Sequence, residues 1–291
     1  MENRSPASRM AQGREEDEAG SRLREHQEEE VRERTAISAH VVYEAVLAEG
    51  QSELERPTSA LVFSGLAAGL SMGFSFLTQG YLQSELPNRP WAHLVSKLGY
   101  SMGFLIVILG RQQLFTENTL TPILPLLKKK QFSILKQILR LWTAVFISNW
   151  LGTLLFGWVL AHSGVIAESA RPTFAQIASA VIARNFVNTF INAIFAGWLI
   201  ALLVWLLPFA ESARVTVIIL MTYVIALGSF AHVVAGSVDV CYLVMMGGTT
   251  WHAYFLRFLL PAFLGNIAGG ILLVAALNHA QVSAGTERSK N

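Results

Sequence analysis

Cysteine is nearly missing from this chain, since Cys241 alone in 291 residues excludes any intrachain disulfide framework. Charge is scarce as well. Asp, Glu, Lys and Arg make up 14% of the sequence against 53% apolar residues, too few for an ordinary soluble domain of this length. Acidic residues are rarest where the apolar runs lie: from Pro57 to Ala280 there are five, Glu85, Glu117, Glu168, Glu211 and Asp239. The amino-terminal region lacks the apolar core of a signal peptide, so it is expected to stay on the side of synthesis.

What is present is long and oily. A helix needs about 20 apolar residues to cross roughly 30 Å of hydrocarbon. Pro57 to Ser84, Leu141 to Ala167, Asn185 to Ala210 and Phe258 to Thr286 are charge-free runs of that order. Val215 to Val238 qualifies by length but is interrupted by Gly228, Ser229, His232, Gly236 and Ser237, and Leu98 to Leu127 carries Arg111 and Glu117. The pattern predicts an all-α membrane protein with six transmembrane helices, the second and fifth broken. Lys128, Lys129, Lys130, Lys136 and Arg140 follow the second span and Arg214 the fourth, which sets both termini in the cytoplasm of a plasma membrane, bacterial inner membrane by expectation.

Four regions follow. Residues 1–34 carry seven Arg and ten acidic residues with almost no aliphatic content, and are expected to be a disordered cytoplasmic tail able to recruit a soluble partner. Residues 35–56 place Ile37, Val41, Val42, Ala45 and Val46 at helical spacing, an amphipathic helix near the membrane surface. Residues 57–280 form the transmembrane domain in the lipid bilayer, and 281–291 a second cytoplasmic tail.

The membrane body is weakly duplicated. The interrupted helix at Gly110–Asn118 is followed by Asn149-Trp150-Leu151-Gly152, and the one at Gly228–Gly236 by Asn266-Ile267-Ala268-Gly269, at nearly equal spacing. Three spans per repeat make the two halves inverted, and matched breaks in such halves point to a transport site. Backbone groups freed by a break cannot face lipid, so they meet protein or line a cavity. Gly65, Gly69 and Gly73 in the first span and Gly265, Gly269 and Gly270 in the last allow close helix approach.

The breaks hold the chemistry. His232 lies far from other ionisable groups, Asp239 being the nearest in sequence, so a charged imidazole there would be costly without a partner. An imidazole that titrates near neutrality could lend a proton to a weak-acid anion and recover it; a structural histidine bonded to a carbonyl of the break is the plainer alternative. Thr116, at the corresponding place in the other break, could bond a permeant or cap the half-helix. Arg111 and Glu117 are expected to pair with each other or with a neighbouring subunit. Tyr100, Phe104, Leu114, Phe115 and Ile225 are large groups near the breaks, suited to hydrophobic constrictions or to packing.

Gly-x-x-x-Leu-Phe-Thr-x-Asn-Thr-Leu at Gly110–Leu120 resembles the break of the formate/nitrite transporter family. Phe230-Ala231-His232, the span ending Leu203-Val204-Trp205, and Leu260–Gly270 are similar to its fifth, fourth and last helices. The resemblance, over roughly Ser59 to Leu277, implies an aquaporin-like protomer in a homopentamer, each with its own pore for formate, nitrite, hydrosulfide or related monovalent species. It gives His232 the place of the central histidine, Thr116 the facing threonine, and Tyr100, Phe104, Leu114, Phe115 and Ile225 the constrictions. The chain departs from the pattern at Glu117, for a small residue, at Ala231, for glutamate, at Gly236, for asparagine, and at Gly197, for the asparagine that partners the histidine.

The expected function is therefore a channel or transporter for small monovalent anions or their neutral acids, with His232 as the route of any proton coupling. A non-conducting scaffold or sensor of the same fold is the alternative. The sequence has neither the Asn-Pro-Ala motif of aquaporins nor a Gly-x-Ser-Gly nucleophile, and nothing in it calls for an enzyme activity, a metal, a cofactor or a nucleic-acid partner.

Overall fold

A computed structural model describes residues 39–277, 280 and 281. The acidic and basic tail, the first residues of the amphipathic stretch and the tail after 281 lie outside the described residues. Helix α1, Ala39–Glu55, precedes the membrane body and buries Tyr43, Val46, Leu47, Gly50 and Leu54. Six helices long and apolar enough to cross a membrane follow: Thr58–Glu85, Pro90–Leu109, Phe132–His162, Phe186–Phe209, Glu211–Gly228 and Trp251–Leu272. The fold is all-α, two three-span repeats with the second span of each broken.

In chain order, α2 (Thr58–Glu85) is the first span, and α3 (Pro90–Ser96) and α4 (Ser101–Leu109) with the 3-10 turn between them are the second. After the first break, α5 (Ile123–Lys129) leads to α6 (Phe132–His162). The second repeat runs through α7 (Arg171–Ile182), α8 (Phe186–Leu206), α9 (Arg214–Gly228), the second break, α10 (Val233–Met245) and the last span, which contains α12 (Leu260–Ala268) after the short α11 (Trp251–Ala253).

Several boundaries differ from hydropathy. The third span begins at Phe132 and carries Lys136 and Arg140, and the sixth begins at Trp251 and carries Arg257. Long cationic side chains reach water from helix ends, so a charge near an end does not stop a helix. The second and fifth spans stop early, at Leu109 and Gly228, because the breaks take up the rest of those runs. Gly236 and Ser237 do not interrupt a helix; they lie within α10.

Apolar helices gain little from one another's company in lipid, so close packing and hydrogen bonds hold them together. In each repeat the outer spans pack on each other, α2 on α6 and α8 on α12. Two glycines set their distance. A Cβ on Gly69 would stand 2.2 Å from the Asn149 carbonyl oxygen, and one on Gly197 2.2 Å from that of Asn266. Half-helix α10 is buried along nearly its whole length, against α6, α2 and α7, which interlocks the repeats.

Candidate functional site

Both broken helices end in the same backbone figure. In the first, Arg111 turns left-handed at φ 52°, with Arg111 N–H donating to the Ile108 carbonyl and Gln112 N–H to that of Val107. In the second, Ser229 turns left-handed at φ 49°, with Ser229 N–H donating to Ala226 and Phe230 N–H to Ile225. This is the Schellman ending, here on residues other than glycine. It closes the helix and throws the chain inward. Lys97 and Arg184 serve the second ending: the Lys97 ammonium meets the Ala226 carbonyl, and Arg184 donates to that of Ser229 at 2.9 Å. Cations at a helix carboxyl end offset its dipole.

One asparagine fixes the chain after each turn. Asn149 accepts from Phe115 N–H at 2.9 Å and donates to the Gln113 and Gly65 carbonyls at 2.9 and 2.7 Å. Asn266 accepts from Val233 N–H at 2.8 Å and donates to the Ala231 and Ala193 carbonyls at 2.9 and 2.8 Å. These bonds satisfy backbone that lipid could not. They also fix the register: Gln113 matches Ala231 and Phe115 matches Val233. The repeat mate of His232 is therefore Leu114, and that of Thr116 is Val234, so Thr116 and His232 are not exchanged by the repeat. The motif Asn-x-x-Gly was visible in both spans, but its clamping role needed the fold.

Thr116 and His232 do meet. Thr116 Oγ1 lies 2.7 Å from His232 Nε2, with both residues buried. His232 also caps α10, its Nδ1 accepting from Ala235 N–H at 3.1 Å. A backbone N–H only donates, so Nδ1 is the ring's acceptor and the proton of the neutral imidazole sits on Nε2. Nε2–H then donates to Thr116 Oγ1, and the Thr116 hydroxyl hydrogen remains available to a third group. Protonating Nδ1 would set two donors against each other. The arrangement favours a neutral histidine acting as a relayed donor.

Two cavities are lined by residues of the breaks. One, of about 620 Å³, is lined by Glu117, Gln113, Arg111 and by Glu49 and Glu53 of α1. The other, of about 300 Å³, reaches His232 and Ala231 and is lined by Lys97, Arg184, Tyr100, Ile225, Gly236 and Asp239. They share no lining residue; His232 lines the second, and its partner Thr116 directly precedes Glu117 of the first.

The candidate constriction residues part company. Phe104 sets its ring edge-on to His232, centroids 5.0 Å apart, and Tyr100 packs on Phe104 at 5.3 Å. Tyr100 and Ile225 border the His232 cavity. Leu114 is buried, and Phe115 is fully enclosed in a cluster with Phe263, Phe146 and Trp142, stacked on Phe263 at 5.0 Å; neither lines either of these two cavities.

Two expectations are corrected. Arg111 does not pair with Glu117: its left-handed turn carries the side chain outward to Glu49, 3.7 Å away, while Glu117 Oε1 is buried without a hydrogen-bond partner. Gly197 is a helix-contact position against the backbone of Asn266, where a side chain would force α8 and α12 apart. Among the described residues no group of three or more His, Cys, Asp or Glu is placed to hold a metal ion.

Comparison with known proteins gives the same picture at the level of family. The formate/nitrite transporter model matches residues 40–280. The inner membrane protein YfdC of Escherichia coli is 43% identical over 250 residues, 86% of this chain and 81% of that protein. Among solved structures, a pentameric formate channel with formate bound superposes with a TM-score of 0.66 at 20% identity, covering 77% of this chain and 97% of that one. A second, described as an FNT family ion channel, gives 0.70 at 17%, covering 81% and 97%. Because the family model spans the whole membrane body and the broken-helix fold is shared with these channels, the chain belongs to the formate/nitrite transporter family.

Proposed function

We propose that this chain is a membrane channel for small monovalent anions or their neutral acids, formate, nitrite or similar, one pathway per protomer of a homopentamer in the plasma membrane. The observation that carries the reading is the buried Thr116–His232 hydrogen bond, whose histidine lines one cavity and whose threonine directly precedes Glu117 of the other. A donor held there offers an entering anion one strong hydrogen bond where water is excluded. Lys97 and Arg184 make the His232 cavity attractive to anions. The match to a structure described as a pentameric formate channel supports both the permeant class and the assembly.

His232 works as a hydrogen-bond donor in this reading, through the Thr116 hydroxyl. Its Nδ1 is committed to α10, so a permeant that crosses as the neutral acid takes its proton from vestibule water. Both termini lie in the cytoplasm, where the charged tail is open to a soluble partner. The test is uptake by proteoliposomes of formate, nitrite, hydrosulfide, acetate and lactate, with His232→Asn alongside. Flux of at least one solute, reduced in the variant, is expected. A protein that reconstitutes yet passes none of the five would be a scaffold or sensor.

A further inference from the structure

Among the described residues, five buried side-chain polar atoms have no hydrogen-bond partner, and four of them belong to residues lining one cavity, the one beneath α1: Glu53 Oε2, Gln112 Oε1, Glu117 Oε1 and Thr121 Oγ1. An unmade hydrogen bond on a buried group costs its full desolvation, so such atoms are few in proteins and their clustering needs a cause. Thr121 is only 4% exposed, which keeps its hydroxyl from finding bulk water.

The charges of the cavity are unevenly spent. Glu53 pairs with Arg56 at 3.5 Å and Glu49 with Arg111 at 3.7 Å. Arg214 donates to the Leu207 carbonyl at 3.3 Å. Glu117 has no ion pair among the described residues. All four orphan atoms accept hydrogen bonds, and two are carboxylate oxygens. An anion would bring further acceptors to a place already rich in them. The Thr121 hydroxyl can also donate, but the other three atoms only accept, so a ligand that brings donors and positive charge suits the set.

We infer that this cavity is a binding site for a small primary ammonium ion, of the ammonium or methylammonium class. Such an ion supplies three or four N–H donors to the orphan acceptors, with Glu117 as its counter-charge. The orphans come from α1 and from both ends of the first break rather than from a compact acidic set, and among the described residues no group of three is placed to hold a metal, which favours a hydrogen-bonding ion over a bare metal. Ile108 and Val204 in the wall accommodate a methyl group. The site goes beyond the anion reading: Glu117 follows Thr116 directly, and a cation there would offset the charge of its ionised carboxylate.

Thermal unfolding of the full-length protein in detergent, at constant ionic strength, tests the site with sodium, potassium, ammonium and methylammonium chlorides. At about ten times the dissociation constant, ammonium and methylammonium are expected to raise the midpoint by about 3 °C over sodium, with potassium matching sodium. Glu117→Gln and Thr121→Val should each lose at least half of that rise; both nearly preserve shape, and if one fails to elute as the wild type does, the other decides. The site is overturned by no rise in the wild type, by an equal rise with potassium, or by an undiminished rise in a folded variant. Anion uptake is scored separately, so its failure leaves this result standing.

Discussion

Asn149 and Asn266 make the same three hydrogen bonds at the two breaks, each binding one N–H after its turn, one carbonyl two residues earlier and one carbonyl of a neighbouring span. Asn266→Leu removes the partner of three buried backbone groups at once. The expected cost is about 3 kcal/mol or more, since each orphaned group carries a penalty of about 1–3 kcal/mol. Thermal unfolding in detergent measures it. Asn149→Leu should behave alike, and Asp at either place should fare little better, because it keeps the acceptor and loses both donors.

Thr116→Val keeps the shape and deletes the hydroxyl through which His232 is relayed. Formate uptake should fall at least about tenfold, the equivalent of roughly 1.4 kcal/mol, with Thr116→Ser retaining most of the wild-type rate. Equal rates in Val and wild type would remove the hydroxyl from the pathway.

Gly69→Ala and Gly197→Ala should each destabilise by about 1–3 kcal/mol, by overpacking against backbone that cannot rotate away. The two values should be similar, since each methyl meets the carbonyl of a clamping asparagine. Paired melting curves decide it.

The Glu49–Arg111 pair should matter little to stability. Both side chains are exposed and 3.7 Å apart, so Glu49→Gln is expected to shift unfolding by less than about 0.5 kcal/mol, and by less again at high salt.

Glu53 gives a pH dependence with a definite sign. Burial pushes its carboxyl above the ordinary 4.5, with Arg56 and Gln113 opposing. The folded state then binds the proton more tightly than the unfolded state, so this group's contribution is fullest below about 4.5 and is lost as pH rises through the folded value. Melting midpoints measured from about pH 4.5 to 7 should fall less steeply in Glu53→Gln than in the wild type.

Much of the architecture was legible in the residues. Charge-free runs gave six spans because crossing hydrocarbon is a demand on length and composition alone. Gly110-Arg111 and Gly228-Ser229 marked where two of them fail, and glycine with a polar neighbour is costly in a helix for local reasons. The third and sixth spans were misjudged at their starts because Lys136, Arg140 and Arg257 reach water from helix ends, which a count of charges does not see.

The sequence by itself determined the membrane class, the number of spans, the duplication and the presence of Thr116 and His232 at the breaks, since each rests on local chemistry or on period. Only the tertiary structure decided what those residues touch. It joined Thr116 to a histidine 116 positions away, made Asn149 and Asn266 into clamps, turned Gly197 from a pore position into a helix contact, and sent Arg111 to Glu49 rather than to Glu117. Hydrogen bonds and ion pairs depend on directions and distances of a few ångströms between segments remote in the chain, and these are settled by packing.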